Sequence, residues 1–365
     1  MQHTDKQHFV FNNHAYKHAL ITHYSIGKVL SRPFYFIIIH RRKRNCNSVE
    51  NYRMNGLKVL FYAYFLLNCR VIFRMVEEKK TNTFKPINIR EVFASKSPRL
   101  ARLIPGFIYR YITRILHLDF INDFLKRNGN LMGIDFVDQV VHEFNVKEHV
   151  NGLENIPQSG RFIFASNHPM GGFDGLLLMK TVNKKLGKLK FLSNDILMNI
   201  PNLSPMFVPV NKHGGHSRDV AKILANAYLS DAQILIFPSG LASRKIQGKI
   251  VDLEWKKHFI SKAIQYKRDI IPVFIGGRNS NRFYLLAKLR KFFRIKWNLE
   301  MFFLPDETMK HRNTDVSLYF GKPLPYTMFD KTKTHKEWAT YVKELIYRLP
   351  EKKLAGNLKM HAQST

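Results

Sequence analysis

The chain has 365 residues, 45% hydrophobic and 13% aromatic, enough for a sizeable core in one large domain with an extension or in two domains. Its formal net charge of +32 calls for a polyanionic neighbour (nucleic acid, an anionic membrane face or an acidic carrier protein) and says little about fold. Both cysteines, Cys46 and Cys69, precede residue 76, which excludes a disulfide framework and a cysteine-type metal site from the rest and fits a reducing, cytoplasmic compartment.

Residues 1 to about 75 carry 12 Lys+Arg against Asp5 and Glu50, with no sustained period. Either they form a basic, aromatic arm on a membrane surface, or translation begins at Met54 or Met75, since organised patterning starts only near Phe84. The best apolar runs, 34–40 and 59–69, are basic-flanked and fall short of the roughly 20 residues of a spanning helix. The expected organisation is an extension over 1–80, an amphipathic helical region over 81–146, an α/β domain over 147–350 and a tail over 351–365.

From 87 to 126 the pattern is helical. In "GFIYRYITRILHL", Ile108, Tyr111, Ile112, Ile115 and Leu116 fall on one face, with Arg110 and Arg114 on the other, as in a helix packed on the domain or lying on lipid. Another helix is expected near 134–144. Beyond 147, strands are expected at 147–150, 161–166, 189–193, 206–210, 233–237, 270–275, 299–304 and 315–320. Helices are expected at 174–186, 216–229, 253–267, 282–292 and 334–348. This alternation predicts an α/β fold, a mixed, largely parallel sheet flanked by helices, with the amphipathic helical region at its N-terminal side. Sites in such sheets form where strands end. Three loops leave strands in this way: His168 to Asp174, "PSG" at 238–240 and "GGRNS" at 276–280. They are expected to converge on one cleft.

A histidine held by a carboxylate is a general base, the acid fixing the tautomer and stabilising the imidazolium. In "SNHPMGGFD", His168 and Asp174 flank a Pro-Gly-Gly turn. With 16 histidines in the chain, one such pairing arises readily by chance, so a satisfied rim histidine is the competing reading. Ser166 and Asn167 precede the histidine on opposite faces of a predicted strand, which favours activation of a substrate hydroxyl over a covalent serine. Ser239 lacks the Gly-x-Ser-x-Gly elbow of a nucleophile.

The later blocks decide between these readings. "SNHPMGGFD", "MFVPVNKHGG", "ILIFPSGLASRK" and "DIIPVFIGG", in that order over roughly 110 residues, resemble the four blocks of the glycerolipid acyltransferase family, lysophosphatidic-acid acyltransferase type. The resemblance extends from about 84 to 348. It implies His168 and Asp174 as the catalytic pair, and acceptor binding by Asn167, Lys212, Ser239, Gly240 and Arg244. Two departures stand out. The His-to-Asp spacer has five residues where the family has four, an excess that Gly171 and Gly172 are expected to absorb. Ser239 replaces the usual glutamate, which weakens a glycerol-phosphate acceptor. Both resemble a hemolysin-like branch associated with lyso-lipids, amino-acid lipids among them.

Other clusters carry less. His213 and His216 lack further ligands for a metal, and Lys212 with Arg218 suits an anion at a helix start. "PSGLASRK" is either a solvated basic loop or a head-group site. "LAKLRKFFRIKW", 286–297, interleaves cations with Phe292, Phe293 and Trp297, as a solvated helix or as a contact for an anionic membrane; single-stranded nucleic acid is disfavoured beside acyl chemistry.

The expected function is therefore a peripheral acyltransferase at the cytoplasmic face of the membrane. It moves a fatty acyl group from acyl carrier protein or coenzyme A to a lyso-lipid hydroxyl, with Lys212 and Arg244 on the head group, N–H groups near Gly171 or Gly240 on the oxyanion, and no metal or prosthetic group. The competing readings are a non-catalytic basic module binding membrane or nucleic acid, and a thioesterase or lipase on the same fold.

Overall fold

The computed structural model describes residues 85–193, 200–210, 217–295 and 298–351, together with the pairs 35–36 and 52–53. The chain divides into two units, 1–65 and 66–365. In the first, Tyr35–Phe36 and Tyr52–Arg53 pair antiparallel; Met54, Met75 and the remaining extension lie outside the described residues.

Among the described residues, the second unit begins with five helices, α1 (Ile89–Lys96), α2 (Pro98–Leu103), α3 (Gly106–Ile115), α4 (Leu118–Asn128) and α5 (Ile134–Phe144). In α3 the buried face is Tyr109, Ile112 and Ile115. Tyr111, expected inside, points outward beside Arg110, because the 3.6-residue period groups it with Phe107 and Arg114 rather than with Ile112. Asn122 of α4 ties down the chain before α1, accepting from the Ile87 amide at 2.7 Å and donating to its carbonyl at 3.0 Å.

The sheet has seven strands: β1 (Lys147–Asn151), β2 (Phe162–Ser166), β3 (Leu189–Ser193), β4 (Phe207–Pro209), β5 (Gln233–Ile236), β8 (Asp269–Ile275) and β9 (Asp315–Phe320). A separate hairpin joins β6 (Arg244–Ile246) to β7 (Lys249–Val251). The order is β1-β9-β8-β2-β5-β3-β4. Five strands run parallel from β8 to β4; β9 is antiparallel to β8 and parallel to β1.

Alternation along β2 assigns the two layers. Phe162 and Phe164 join the core under α4, α5 and α6 (Gly172–Leu186). Ile163 and Ala165 face α7 (Ser217–Leu229), α8 (His258–Tyr266) and α11 (His335–Tyr347). Arg268 is wholly buried, and it donates to the carbonyls of Tyr228, Ser230 and Ala232, bracing the turn into β5.

The expected strand at 299–304 is absent. Leu299–Phe303 forms a 3-10 turn leading into α10 (Leu304–Met309), and α9 (Asn281–Phe292) precedes it. Glu300 is wholly buried against two arginines, and Pro305 near the start of α10 suits a helix beginning while denying a ladder its donor. The helix expected from 253 begins at His258.

Candidate active site

His168 follows β2, and Asp174 sits in the first turn of α6. Gly171 makes the join, with φ +89° and ψ −138°, a conformation that L side chains rarely adopt. The turn at this glycine brings Asp174 back within reach of His168. His168 Nδ1 lies 3.0 Å from Asp174 Oδ2, and the same oxygen accepts the amides of Met170 (2.9 Å) and Gly171 (3.0 Å). The carboxylate thus caps its own helix and holds the ring. With two amides donating to Oδ2, Nδ1 is the protonated ring nitrogen and Nε2 keeps its lone pair.

Asp174 is fully buried, and burial raises its carboxyl above the usual range against the opposing pull of the His168 hydrogen bond. Its Oδ1 has no hydrogen-bond partner among the described residues. The imidazole stacks on Phe237 at 4.1 Å between centroids, the rings 17° apart. The main chain on either side is fixed too: the His168 amide donates to Asp252 Oδ1 at 3.2 Å and its carbonyl accepts from Ser243 N at 2.7 Å. Asp252 also accepts from Ser243 Oγ and Trp255 Nε1.

His168 stands on the wall of a cavity of about 1090 Å³. Most of the wall is apolar: Phe120, Ile121, Phe124 and Leu125 of α4, Phe173, Leu176 and Met179 of α6, and Phe191, Phe207 and Phe237 from the sheet side. Ser239, Gly240, Lys256, His258 and Lys262 supply a polar portion.

Of the residues expected to bind an acceptor, Ser239 and Gly240 line this cavity, and Ser239 Oγ donates to Leu241 O at 2.9 Å. Asn167 does not reach it. Its amide is buried and pairs both ways with the Ile275 backbone, at 2.9 and 2.7 Å, stitching the end of β2 to β8. Nor does Arg244, which is buried with its guanidinium 2.8 Å from Glu300 and stacked over Phe283. Lys212, His213 and His216 lie outside the described residues, as does the side chain of Arg218.

The expected oxyanion donors are also engaged, Gly171 N with Asp174 and Gly240 N with Phe237 O. Loop 276–280 packs behind the site rather than into it, with Asn279 Nδ2 donating to Pro169 O at 3.2 Å. Sequence reasoning missed Phe237, Asp252, Lys256 and Lys262. Phe237 stands in the third block, where the pattern makes it the end of a strand, and Asp252 is one of two acids in "KIVDLEW".

Residues 91–356 match the family described as Acyltransferase. The chain belongs to this acyltransferase family. It is 44% identical over 264 residues to the lyso-glycine lipid O-acyltransferase of Bacteroides thetaiotaomicron, covering 72% of this chain and 97% of that protein. It is 42% identical over 264 residues to the protein of the same name from Phocaeicola vulgatus, covering 72% and 95%. The crystal structure of the 1-acyl-sn-glycerophosphate (LPA) acyltransferase PlsC from Thermotoga maritima aligns at a TM-score of 0.39 with 18% identity, over 82% of this acyltransferase and 96% of that chain. The acyltransferase has no helix among its described residues long and apolar enough to cross a membrane.

Proposed function

We propose that this O-acyltransferase moves a fatty acyl group from a thioester of coenzyme A or acyl carrier protein to the hydroxyl of a lyso-glycine lipid at the cytoplasmic face of an anionic membrane. The observation that carries the reading is the His168–Asp174 contact of 3.0 Å on the wall of a large apolar cavity. The 44% and 42% identical relatives support the acceptor class.

His168 Nε2 takes the proton from the acceptor hydroxyl as its oxygen attacks the thioester carbonyl. Asp174 holds the ring through Nδ1–H and stabilises the imidazolium. As the tetrahedral adduct collapses the carbon–sulfur bond breaks, and the leaving thiolate takes the proton from the imidazolium. Gly172, the first residue of α6, lies on the cavity wall, so developing negative charge meets the positive end of that helix. Apolar walls hold the acyl chains and exclude water, which favours transfer over hydrolysis. Lys256, on the cavity wall with its ammonium beside Gly240, meets an acidic head in place of Arg244.

The test is His168→Ala, assayed for transfer of a labelled acyl thioester to lyso-glycine lipid. A loss of about 10²–10⁴-fold with unchanged melting temperature is expected. Undiminished transfer, or release of free fatty acid alone by the wild type, refutes the proposal.

A further inference from the structure

The outer faces of α3 and α9 are not used by the chemistry, and each carries the same pattern. In α9, Phe283, Tyr284 and Ala287 face the core, while Arg290 turns to the buried Glu300. The outward stripe is Leu285, Lys288, Leu289 and Phe292, at the i, i+3, i+4, i+7 spacing of one helical face. Phe292 is 77% exposed and Phe293, just past the helix end, 65%; their rings stand edge to face, 5.1 Å apart. Exposed Lys291 and Arg294 flank them, with no acid between Asn281 and Arg294. On α3 the outward residues are Phe107, Arg110, Tyr111 and Arg114.

The two helices are linked through one carboxylate. Asp306 of α10 contacts His117 Nε2, two residues past α3, at 3.0 Å, and Arg282 in the first turn of α9 at 2.5 Å. The same short helix adjoins the reaction centre, since Leu304 packs against Gly171 and Pro305, Thr308 and Met309 line the cavity.

We propose that α9 and α3 together form the surface on which this enzyme docks to an anionic bilayer, with Phe292 and Phe293 inserted among the acyl chains and Lys288, Lys291 and Arg294 at the head groups. The proposal rests on the lyso-lipid reading above and adds where the enzyme touches the membrane. A lipid surface fits better than an acidic protein because the exposed residues pair apolar side chains, two of them aromatic rings, with a run of cations at one helix end, the composition of an interfacial helix. The Asp306 link would set this surface next to the cavity, so an acceptor reaches His168 with little of its chain crossing water.

Three proteins are compared in flotation with vesicles of neutral or 30%-anionic phospholipid, ~30% being a composition that sustains a negative surface potential: wild type, Phe292→Ser/Phe293→Ser and Lys288→Glu/Lys291→Glu/Arg294→Glu. Transfer to a bilayer-embedded and to a monomeric short-chain lyso-lipid is measured in parallel. Wild type should float with anionic vesicles. Removing a cation should cost roughly fivefold in binding, so the triple variant should lose about a hundredfold, falling further with charge reversal. Both variants should lose transfer to the embedded acceptor and keep it on the monomeric one. Variants that float like wild type overturn the docking surface while leaving the acyltransferase reading intact. Loss of transfer on the monomeric acceptor as well, or binding of an acidic carrier protein rather than vesicles through the same residues, also overturns it. Wild type that floats with neither vesicle removes the membrane from both readings.

Discussion

Arg244→Met separates two roles for a residue that the sequence resemblance places on the acceptor. In the structure its guanidinium is buried, bonded to Glu300 Oε1 at 2.8 Å and to the Ala242 carbonyl, and stacked on Phe283. Glu300 has no exposure at all. Its other oxygen lies 3.0 Å from Arg290 Nε, close enough for an ion pair but not aligned as a hydrogen bond. Methionine fills the volume of the stem but leaves Glu300, among the described residues, with this misaligned partner alone. Removing one member of a buried pair costs about 3–5 kcal/mol. In a domain of this size each kcal/mol moves the melting temperature by roughly 2–4 °C, so a fall of about 6–20 °C is expected. Scanning fluorimetry measures it, with initial rates at a temperature where the variant is still folded. There the KM for the lyso-lipid should change little. A variant with wild-type melting temperature and a KM raised tenfold or more would refute the reasoning and return Arg244 to the acceptor.

Asp174→Asn should cut transfer on the order of 10²–10⁴-fold by releasing the ring tautomer. Because burial raises the native carboxyl above its unfolded value, the wild type should lose stability relative to the variant as pH rises above the ordinary aspartate range; a difference in melting temperature that does not change with pH would refute this. Gly171→Ala places a Cβ 3.0 Å from Leu304 at φ +89° and should cost about 1–3 kcal/mol, read by denaturant titration, with transfer falling alongside. Ile121→Trp narrows the cavity beside α4 and should shift donor preference towards shorter acyl chains, by about fourfold for each methylene no longer buried; an unchanged chain-length profile would place the acyl groups elsewhere.

Periodic segments were legible in the sequence because burial imposes the period. The helix at 134–144 appears with those bounds, and β2, β3 and β9 fall within a residue of their expected limits. The turn from His168 to Asp174 was legible for a different reason, since only glycine relieves the constraint there. What the sequence hid was direction. Asn167 and Arg244 lie in blocks that suggest a ligand, yet one pairs with a neighbouring strand and the other with Glu300, a residue 56 positions away. The apolar run at 299–304 reads as a strand only while the burial of Glu300 is unknown. Phe237 looks like a strand end until the imidazole is seen lying on it.

Asp174 serves as helix cap and as holder of the base through a single oxygen atom. Shifting the start of α6 by one residue would therefore withdraw the carboxylate from the ring as well as from the two amides. The first turn of that helix cannot drift in evolution or be redesigned for stability by itself. Any lengthening of the loop has to be matched by a residue that returns the acid to its place, and in this chain Gly171, at φ +89°, makes that return.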